Sequence, residues 1–190
     1  TRHDLAEGIG KAVEAVLRAS GADVGEIGMA SLSTTLATNA LVEGQGGRAG
    51  LVYVGFREGD LAAHGLQEVL AGDPTLVIAG GHSHAGTEAA PLDEAALLAW
   101  LETKPEASAY AVASQFATRN PTHEQHVAEV IREVTGRPVS CSHHLSAKLN
   151  GPKRALTALL NARLIGMIAR LIEKAEGKLR ELGIDAPLMV

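Results

Sequence analysis

Short apolar segments alternate with helix-like segments along this chain of 190 residues, and the alternation restricts the folds open to it. Residues 49–54 form a continuous apolar run, typical of a strand that a sheet buries on both faces, and residues 109–114 are predicted to form another strand. Apolar residues at helical spacing lie between such runs. Further strands are predicted over 27–32, 75–79, 139–142 and from 187, and helices over 5–20, 64–70, 91–101, 120–135 and 153–182. The pattern predicts an α/β protein built in layers.

The last predicted helix is the longest element of the chain. Its leucines and isoleucines recur at helical spacing, whereas its end, residues 173–181, is charged. We interpret the helix, with Arg154 and Asn161, mainly as a packing element. The break at Asn150-Gly151-Pro152 predicts a domain boundary just before it.

Composition excludes several classes of protein. The 22 Asp and Glu outnumber the 17 Lys and Arg, and aromatic residues make up 3 %, which argues against nucleic-acid binding. The one cysteine, Cys141, allows no internal disulfide and no cysteine-rich zinc site. It is compatible with a reducing compartment, and we expect a cytoplasmic protein. No continuous apolar run reaches the roughly 18 residues of a membrane span and no secretory signal is visible, so no membrane partner is expected.

The chain starts at Thr1 rather than at a methionine, and it stops at Val190 within a predicted strand. We therefore expect a fragment of a longer protein. Truncation would expose part of the long helix, so a homo-oligomer is a further expectation.

The most unusual segment is 33–41, where Thr34, Thr35, Thr38 and Asn39 crowd a predicted strand-to-helix junction. Their hydroxyl and amide groups can cap the new helix, and the N-terminus of that helix can hold an anion. Capping alone is the other interpretation, and the sequence leaves both open.

A second candidate segment, 55–58, directly follows the buried strand 49–54. Loops at the carboxyl ends of strands are where α/β proteins place ligands. Arg57 in this loop could bind a carboxylate or a phosphate. A solvated arginine in a turn is the alternative.

Histidine is the third feature, with eight residues in the chain. His82 and His84 lie two apart in a glycine-rich loop, His123 and His126 share a helix face, and His143 is next to His144. A transition metal at His82 and His84 is one hypothesis, and surface or capping histidines are the other. Asn120 is interpreted as a helix N-cap before Pro121.

Taken in order, these segments resemble the motifs of the hydantoinase/oxoprolinase family. That family has Gly-Thr-Thr-x-Ala-Thr-Asn-Ala-Leu, then Gly-Phe-Arg-Asp, then Asn-Pro-x-His-Glu, and later an arginine ahead of Leu-Asn-Ala in a long helix. The corresponding residues here are Ser33-Thr34-Thr35-Leu36-Ala37-Thr38-Asn39-Ala40-Leu41, Gly55-Phe56-Arg57-Glu58, Asn120-Pro121-Thr122-His123-Glu124, Arg154 and Leu160-Asn161-Ala162. The resemblance covers nearly the whole chain, and it is the order of the motifs that makes it specific.

The resemblance implies a fold and a domain division. The fold would be an actin/sugar-kinase-like (ribonuclease H-like) ATPase lobe, incomplete in this chain, with a long C-terminal helix. Residues 1–150 would be the C-terminal part of the family's N-terminal region, and 151–190 the start of the hydantoinase A domain. The family's first phosphate loop would lie before Thr1, and its second, with the adenosine pocket, after Val190.

The resemblance also implies an activity. Members couple ATP hydrolysis, with Mg²⁺, to the opening of cyclic amides such as 5-oxoproline or hydantoins, together with a hydantoinase B-type partner subunit or domain. The shared step would be phosphorylation of a carbonyl or enol oxygen. Relatives that carboxylate ketones make a ketone carboxylase subunit the first alternative, and a non-catalytic subunit-interaction domain is the second.

The resemblance implies roles for individual residues as well. Thr35, Thr38 and Asn39 would be catalytic, while Thr34, Arg57 and Arg154 would bind substrate or phosphate. Two positions depart from the family pattern. Ser33 replaces a glycine, which restricts backbone approach to a ligand, and Glu58 replaces an aspartate.

Overall fold

The computed structural model describes residues 5–32 and 47–189 of the chain. Contacts within the chain divide it into two compact units, Gln45–Gly166 and a smaller one made of Thr1–Gly44 with Met167–Val190. The threonine-rich segment 33–41 lies outside the described residues.

The smaller unit begins with helix α1, Leu5–Ser20, as the periodicity predicts. The helix ends at Gly21, whose φ of +66° suits a left-handed C-terminal cap. Strand β1, Ala30–Ser31, is shorter than the predicted strand 27–32. A 3-10 turn, Val24–Glu26, occupies the chain just before it.

The larger unit is built on a parallel sheet of four strands: β2 (Ala49–Val54), β3 (Thr75–Ile78), β4 (Ala109–Ser114) and β5 (Val139–Cys141). Their order in the sheet is β3-β2-β4-β5. The register places Val54 of the second strand opposite Ile78 of the third and Ser114 of the fourth. Parallel strands end at the same edge, so the loops that follow them meet there.

Helices connect the strands, which confirms the predicted α/β class. They are α2 (Leu66–Leu70) before β3, α3 (Glu94–Glu102) before β4, α4 (Thr122–Thr135) before β5, and α5 (Ser142–Leu145) after β5. The predicted helix 64–70 begins only at Leu66, because His64 (φ 59°) and Gly65 (φ 75°) adopt left-handed conformations that an α-helix cannot contain.

Alternate residues of the central strands face two separate cores, as the two-residue period of a strand requires. Leu51 and Tyr53 point to one face, while Val52 and Val54 point to the other. The second core is completed by α3 and α4, through residues such as Leu97 and Ile131. Both faces of β2 and β4 are therefore buried, which explains their mainly apolar sequence.

The first core is closed by α6, the long helix, which spans Gly151–Glu181. Ala155, Ala158, Leu159 and Ala162 are fully buried against the sheet. Their spacing places small side chains on one face, so the helix backbone approaches the strands closely. By length and composition alone α6 could cross a membrane; its first turns pack on the sheet, and 33 % of the candidate span is buried in this chain.

Strand β6, Leu188–Met189, pairs in parallel with β1 in the smaller unit. The predicted boundary near residue 150 coincides with the start of α6, whereas the two units divide within that helix. The proposed family domains, 1–150 and 151–190, stay a prediction.

Candidate functional site

A set of buried polar side chains lies where β4, β5 and α4 meet, at the carboxyl edge of the sheet. At its centre is Glu124, in the first turn of α4 and fully buried. One carboxylate oxygen accepts the backbone N–H of Ser114 at 2.7 Å and the hydroxyl of Ser142 at 2.5 Å. The other accepts the backbone N–H of His143 at 3.0 Å and its Nδ1–H at 2.5 Å. Four donors and the N-terminal end of a helix therefore stabilise a negative charge here.

Arg154, in the first turn of α6, provides the positive charge of this network and is 1 % exposed. Its Nε donates to the Ser142 hydroxyl at 3.2 Å, and its Nη2 donates to the Ser114 carbonyl at 2.8 Å. Nη1 donates to the carbonyls of Lys148 and Leu149, each at 2.9 Å. Burial lowers the pKa of this guanidinium, and the charge of Glu124 opposes that shift. Ser142 thus links Arg154 to Glu124, and the pair holds together the loops after β4 and β5.

His143 presents a free nitrogen lone pair beside Glu124. Because Nδ1 donates to the carboxylate, the neutral ring carries its proton there and leaves Nε2 as an acceptor. That Nε2 atom is buried and has no hydrogen-bond partner among the described residues. The ring as a whole is 11 % exposed and packs on His144, with ring centroids 4.0 Å apart.

A second polar cluster lies at the same edge, in the loop after β3. The backbone N–H of Gly81 donates to Nδ1 of His123 at 2.9 Å, so the proton of a neutral ring is on Nε2 and points at Glu88, 3.1 Å away. Gly80 and Gly81 both have positive φ, and a Cβ on Gly80 would lie 2.7 Å from Val54. Glycine is thus needed for this loop to approach the sheet.

His82, beside it, has an equally defined tautomer. The Thr122 hydroxyl donates to Asn120 Oδ1 at 2.9 Å, so it accepts from Nε2–H of His82 at 3.2 Å. Nδ1 of His82 is left as a buried acceptor without a partner in the described part of the chain. Burial lowers the pKa of His82, and His123, with its ring centroid 4.5 Å away, lowers it further. This imidazole is therefore neutral near pH 7.

Asn120 lies one residue before the N-cap of α4, which is Pro121 and makes no side-chain cap hydrogen bond, so the predicted cap position was wrong by one residue. Its Oδ1 accepts the backbone N–H of Thr122 at 3.1 Å, and its Nδ2 donates to the Gly86 carbonyl at 3.0 Å. The same side chain therefore starts the helix and anchors the loop after β3.

The structure separates the remaining predicted site residues. Arg57 is exposed in the loop after β2, and no described residue accepts a hydrogen bond from its guanidinium; its backbone N–H donates to Asp60 at 2.9 Å. Arg154 lies inside the network instead of at the surface. Thr34, Thr35, Thr38 and Asn39 lie outside the described residues, so their roles stay predictions.

The metal hypothesis for His82 and His84 also stays a prediction. His82 is buried, whereas His84 is exposed. Within 5–32 and 47–189 the potential ligands that do cluster are Glu124, Cys141 and His143, with donor atoms within 4.8 Å of one another.

This cluster does not fit a metal ion as it stands. The Glu124 oxygens are already occupied by four donors. Burial, followed by the charge of Glu124, raises the pKa of the Cys141 thiol to about 11, so it stays protonated. Mg²⁺ prefers oxygen ligands, and this group offers only one carboxylate.

Along the sequence, Glu124 stands out only as part of a motif and His143 only as one of a pair. Two other residues of the network could have been found from the sequence. Ser114 and Ser142 are polar residues at or just after the ends of apolar strands, the edge of the sheet where α/β proteins bind ligands. The hydrogen-bond donors of the buried Glu124 carboxylate, in contrast, come from two other elements, β4 and α5, and cannot be read along the chain.

Among known proteins, this chain is similar to parts of subunits of two enzymes. It is 28 % identical to caprolactamase subunit alpha of Pseudomonas jessenii over 98 % of its length, and 30 % identical to the acetophenone carboxylase gamma subunit of Aromatoleum aromaticum over all of it. In both cases the chain spans 30 % of the relative.

Solved structures agree with this similarity. The crystal structure of ATP-dependent caprolactamase from Pseudomonas jessenii matches with a TM-score of 0.73 and 26 % identity, over 99 % of this chain and 30 % of that one. Nucleotide-free acetone carboxylase matches with a TM-score of 0.64 over 95 % of this chain and 30 % of that one; at 18 % identity it supports the fold alone.

The family described as the hydantoinase/oxoprolinase N-terminal region matches residues 1–135, more than half of the chain. The motifs, the parallel sheet and the relatives lead to the same conclusion: the chain belongs to the hydantoinase/oxoprolinase family.

Proposed function

We propose that this chain is part of a subunit of an ATP-dependent hydrolase that opens a cyclic amide of the hydantoin or 5-oxoproline type. The observation that carries the proposal is the similarity to caprolactamase subunit alpha, which extends over 98 % of the chain. Since the chain spans only 30 % of that relative, the activity belongs to the whole subunit and its partner. A hydantoinase B-type subunit or domain, in the cytoplasm, is the proposed partner.

The proposed fold is one lobe of an actin/sugar-kinase-like ATPase. The four-stranded parallel sheet with helices on both faces is compatible with such a lobe. In this proposal Thr34, Thr35, Thr38 and Asn39 line the nucleotide side of the cleft. Catalysis would depend on positioning and on charge stabilisation of the transferred phosphoryl group.

Arg57 is the described residue best placed to meet an anionic group. It is exposed, no described residue accepts a hydrogen bond from its guanidinium, and it follows β2 at the carboxyl edge. A guanidinium can bind phosphate through two parallel hydrogen bonds. Arg154 is buried with its donors engaged, so we assign it a positioning role for the loops around Glu124.

In the proposed reaction the amide carbonyl oxygen attacks the γ-phosphorus of ATP. The new O–P bond replaces the bond to ADP, and the amide becomes an imidate phosphate once its N–H proton leaves. Water then adds to the activated carbon, and the ring C–N bond breaks as the nitrogen takes up a proton, which leaves an acyl phosphate. A second water hydrolyses this acyl phosphate to the carboxylate and phosphate. A neutral amide, normally resistant to water, thereby gains a good leaving group.

A ketone carboxylase subunit is the second candidate, favoured by the 30 % identity to the acetophenone carboxylase gamma subunit over the whole chain. Phosphorylation of an enol oxygen would be its corresponding step. The two candidates differ in whether turnover requires bicarbonate.

The test uses the full-length subunit with its natural partner and Mg-ATP. ADP release is measured with caprolactam, 5-oxoproline, hydantoin, and ketones with and without bicarbonate. We expect stimulation by a cyclic amide together with a ring-opened product. Stimulation by a ketone only with bicarbonate would favour the carboxylase instead.

Arg57→Ala tests the proposed contact between Arg57 and an anionic group at the carboxyl edge of the sheet. We expect KM for substrate or ATP to rise about tenfold, because hydrogen bonds to charged groups contribute about 1.5–3 kcal/mol. Arg137→Ala is the matched control, since Arg137 is also exposed but lies at the opposite edge, before β5. No stimulation by any substrate would overturn the enzymatic proposal and leave a subunit-interaction domain.

A further inference from the structure

Phosphorylation of an amide oxygen releases a proton, and the reaction needs an acceptor for it. In a lactam the proton leaves the ring nitrogen as C=N forms. In a ketone it leaves the carbon next to the carbonyl as the enol forms. Both proposed reactions therefore need a base near neutral pKa, close to the atom that loses its proton.

Three histidines at the carboxyl edge are buried enough to be held in position, and their hydrogen bonds differ. His123 uses both ring nitrogens, one for Gly81 and one for Glu88. His82 has a free Nδ1, but its other nitrogen contacts only the neutral hydroxyl of Thr122. Burial lowers the pKa of His82, so protonation of this ring is disfavoured.

His143 alone among these three joins a free lone pair to a carboxylate. Its Nδ1 donates to Glu124 at 2.5 Å, and its Nε2 is buried without a partner among the described residues. The carboxylate fixes the tautomer with the lone pair on Nε2. It also stabilises the imidazolium that forms when Nε2 takes up a proton.

The groups around the His143 ring agree with a base at His143 that Glu124 holds in position. Glu124 faces it from α4, Cys141 precedes it on β5, and His144 packs on the ring. Arg154 is linked to Glu124 through Ser142. Glu124 itself has no free oxygen to act as a base, because four donors occupy it, so it serves as a positioning residue.

We infer that His143 is the catalytic base of the phosphorylation step, an assignment that rests on the proposed function. As the carbonyl oxygen bonds to the γ-phosphorus and the bond to ADP breaks, the N–H proton of the amide moves to Nε2 of His143. The electron pair of that N–H bond forms C=N. The imidazolium then loses its proton to solvent after ADP and the imidate phosphate have formed. With a ketone the same nitrogen takes the α-C–H proton.

The experiment compares His143→Gln with His126→Gln in the full-length subunit and its partner. We expect His143→Gln to lower kcat for substrate-stimulated ADP release by about 10²–10⁴-fold, the usual contribution of a general base, with little change in KM. His126→Gln changes an exposed histidine that pairs with Glu94 and not with the His143 ring, and it should keep activity near that of the wild type. Imidazole added to His143→Gly should restore part of kcat, which a purely structural role would not allow.

The outcomes separate the two proposals. If the wild type responds to a substrate and His143→Gln retains its kcat, the base assignment is wrong and the proposed function stands. If the wild type responds to no cyclic amide or ketone, the proposed function fails and the assignment with it. Should the His143 variants not fold, the wild-type pH profile decides: a base requires kcat to fall tenfold per pH unit on the acid side, and a flat profile overturns it.

Discussion

Glu124 shows how a single residue holds together parts of the chain that are distant in sequence. Its carboxylate receives hydrogen bonds from Ser114, ten residues before it, and from Ser142 and His143, eighteen and nineteen residues after it. A buried charge of this kind is tolerated only when every lone pair has a donor. The same contacts that satisfy the carboxylate orient His143.

Replacement of Glu124 by glutamine tests how much the hydrogen bonds of this carboxylate stabilise the fold. The amide would present NH₂ to donors that now face an oxygen, so at least two hydrogen bonds are lost. We expect the free energy of unfolding to fall by about 3 kcal/mol, as for other broken buried ionic networks. Urea unfolding followed by circular dichroism measures it.

Glu129→Gln is the matched control for Glu124→Gln, because Glu129 lies on the same helix but is exposed. Its effect should stay within about 0.5 kcal/mol. Equal stabilities of the two variants would contradict the role given to the Glu124 network.

At the scale of elements, the turns after the strands depend on close backbone contact. Gly55 ends β2 with φ +77°, and a Cβ there would lie 2.6 Å from the carbonyl oxygen of Gly80. The two loops that follow β2 and β3 are thus pressed together at the carboxyl edge. Gly136 ends α4 with a similar φ of +65°, but a Cβ on it would point into open space, with no described atom beyond its chain neighbours within 4 Å.

The pair Gly55→Ala and Gly136→Ala separates backbone strain from steric clash. Both variants place a side chain in the left-handed region, which costs about 1–2 kcal/mol. Only Gly55→Ala also collides with backbone atoms, so it should lose about a further 1–3 kcal/mol. Thermal and urea unfolding of both proteins measure the difference. Equal losses would show that the loops after β2 and β3 can move apart without cost.

At the scale of the whole molecule, the reactivity of the Cys141 thiol measures whether the sheet opens. It is 3 % exposed at the end of β5, and burial, followed by the charge of Glu124, raises the pKa of its thiol to about 11. The thiolate is the reactive form of cysteine. A folded chain therefore hides its only thiol both sterically and chemically.

We expect native protein at pH 8 to resist iodoacetamide and to react only after unfolding in urea, as followed by mass spectrometry. The pKa of the Cys141 thiol is higher in the folded than in the unfolded chain. Its contribution to the free energy of unfolding is therefore complete below about pH 9. It declines as pH rises towards about 11. Alkylation of the native protein at the rate of a free thiol would show that the sheet opens locally.

Elements with strong local patterns could be predicted closely. The strands 49–54 and 109–114 are observed with the predicted bounds, because strands buried on both faces are formed mainly by apolar residues. The predicted helix 64–70 was wrong in its first turn. Left-handed conformations at His64 and Gly65 are a property of the folded loop that local propensity does not show.

The α/β class, the central strands, the long helix and the family could all be read from the amino-acid sequence, since each depends on residue order or on periodicity. Which polar residues meet depends instead on how the chain packs. Glu124, Ser142, His143 and Arg154 lie on three helices and come together because parallel strands end at one edge. Packing also buries Arg154 and leaves Arg57 exposed, although both looked alike as arginines near a loop. Burial and hydrogen-bond direction arise from contacts between distant segments, and no local pattern encodes them.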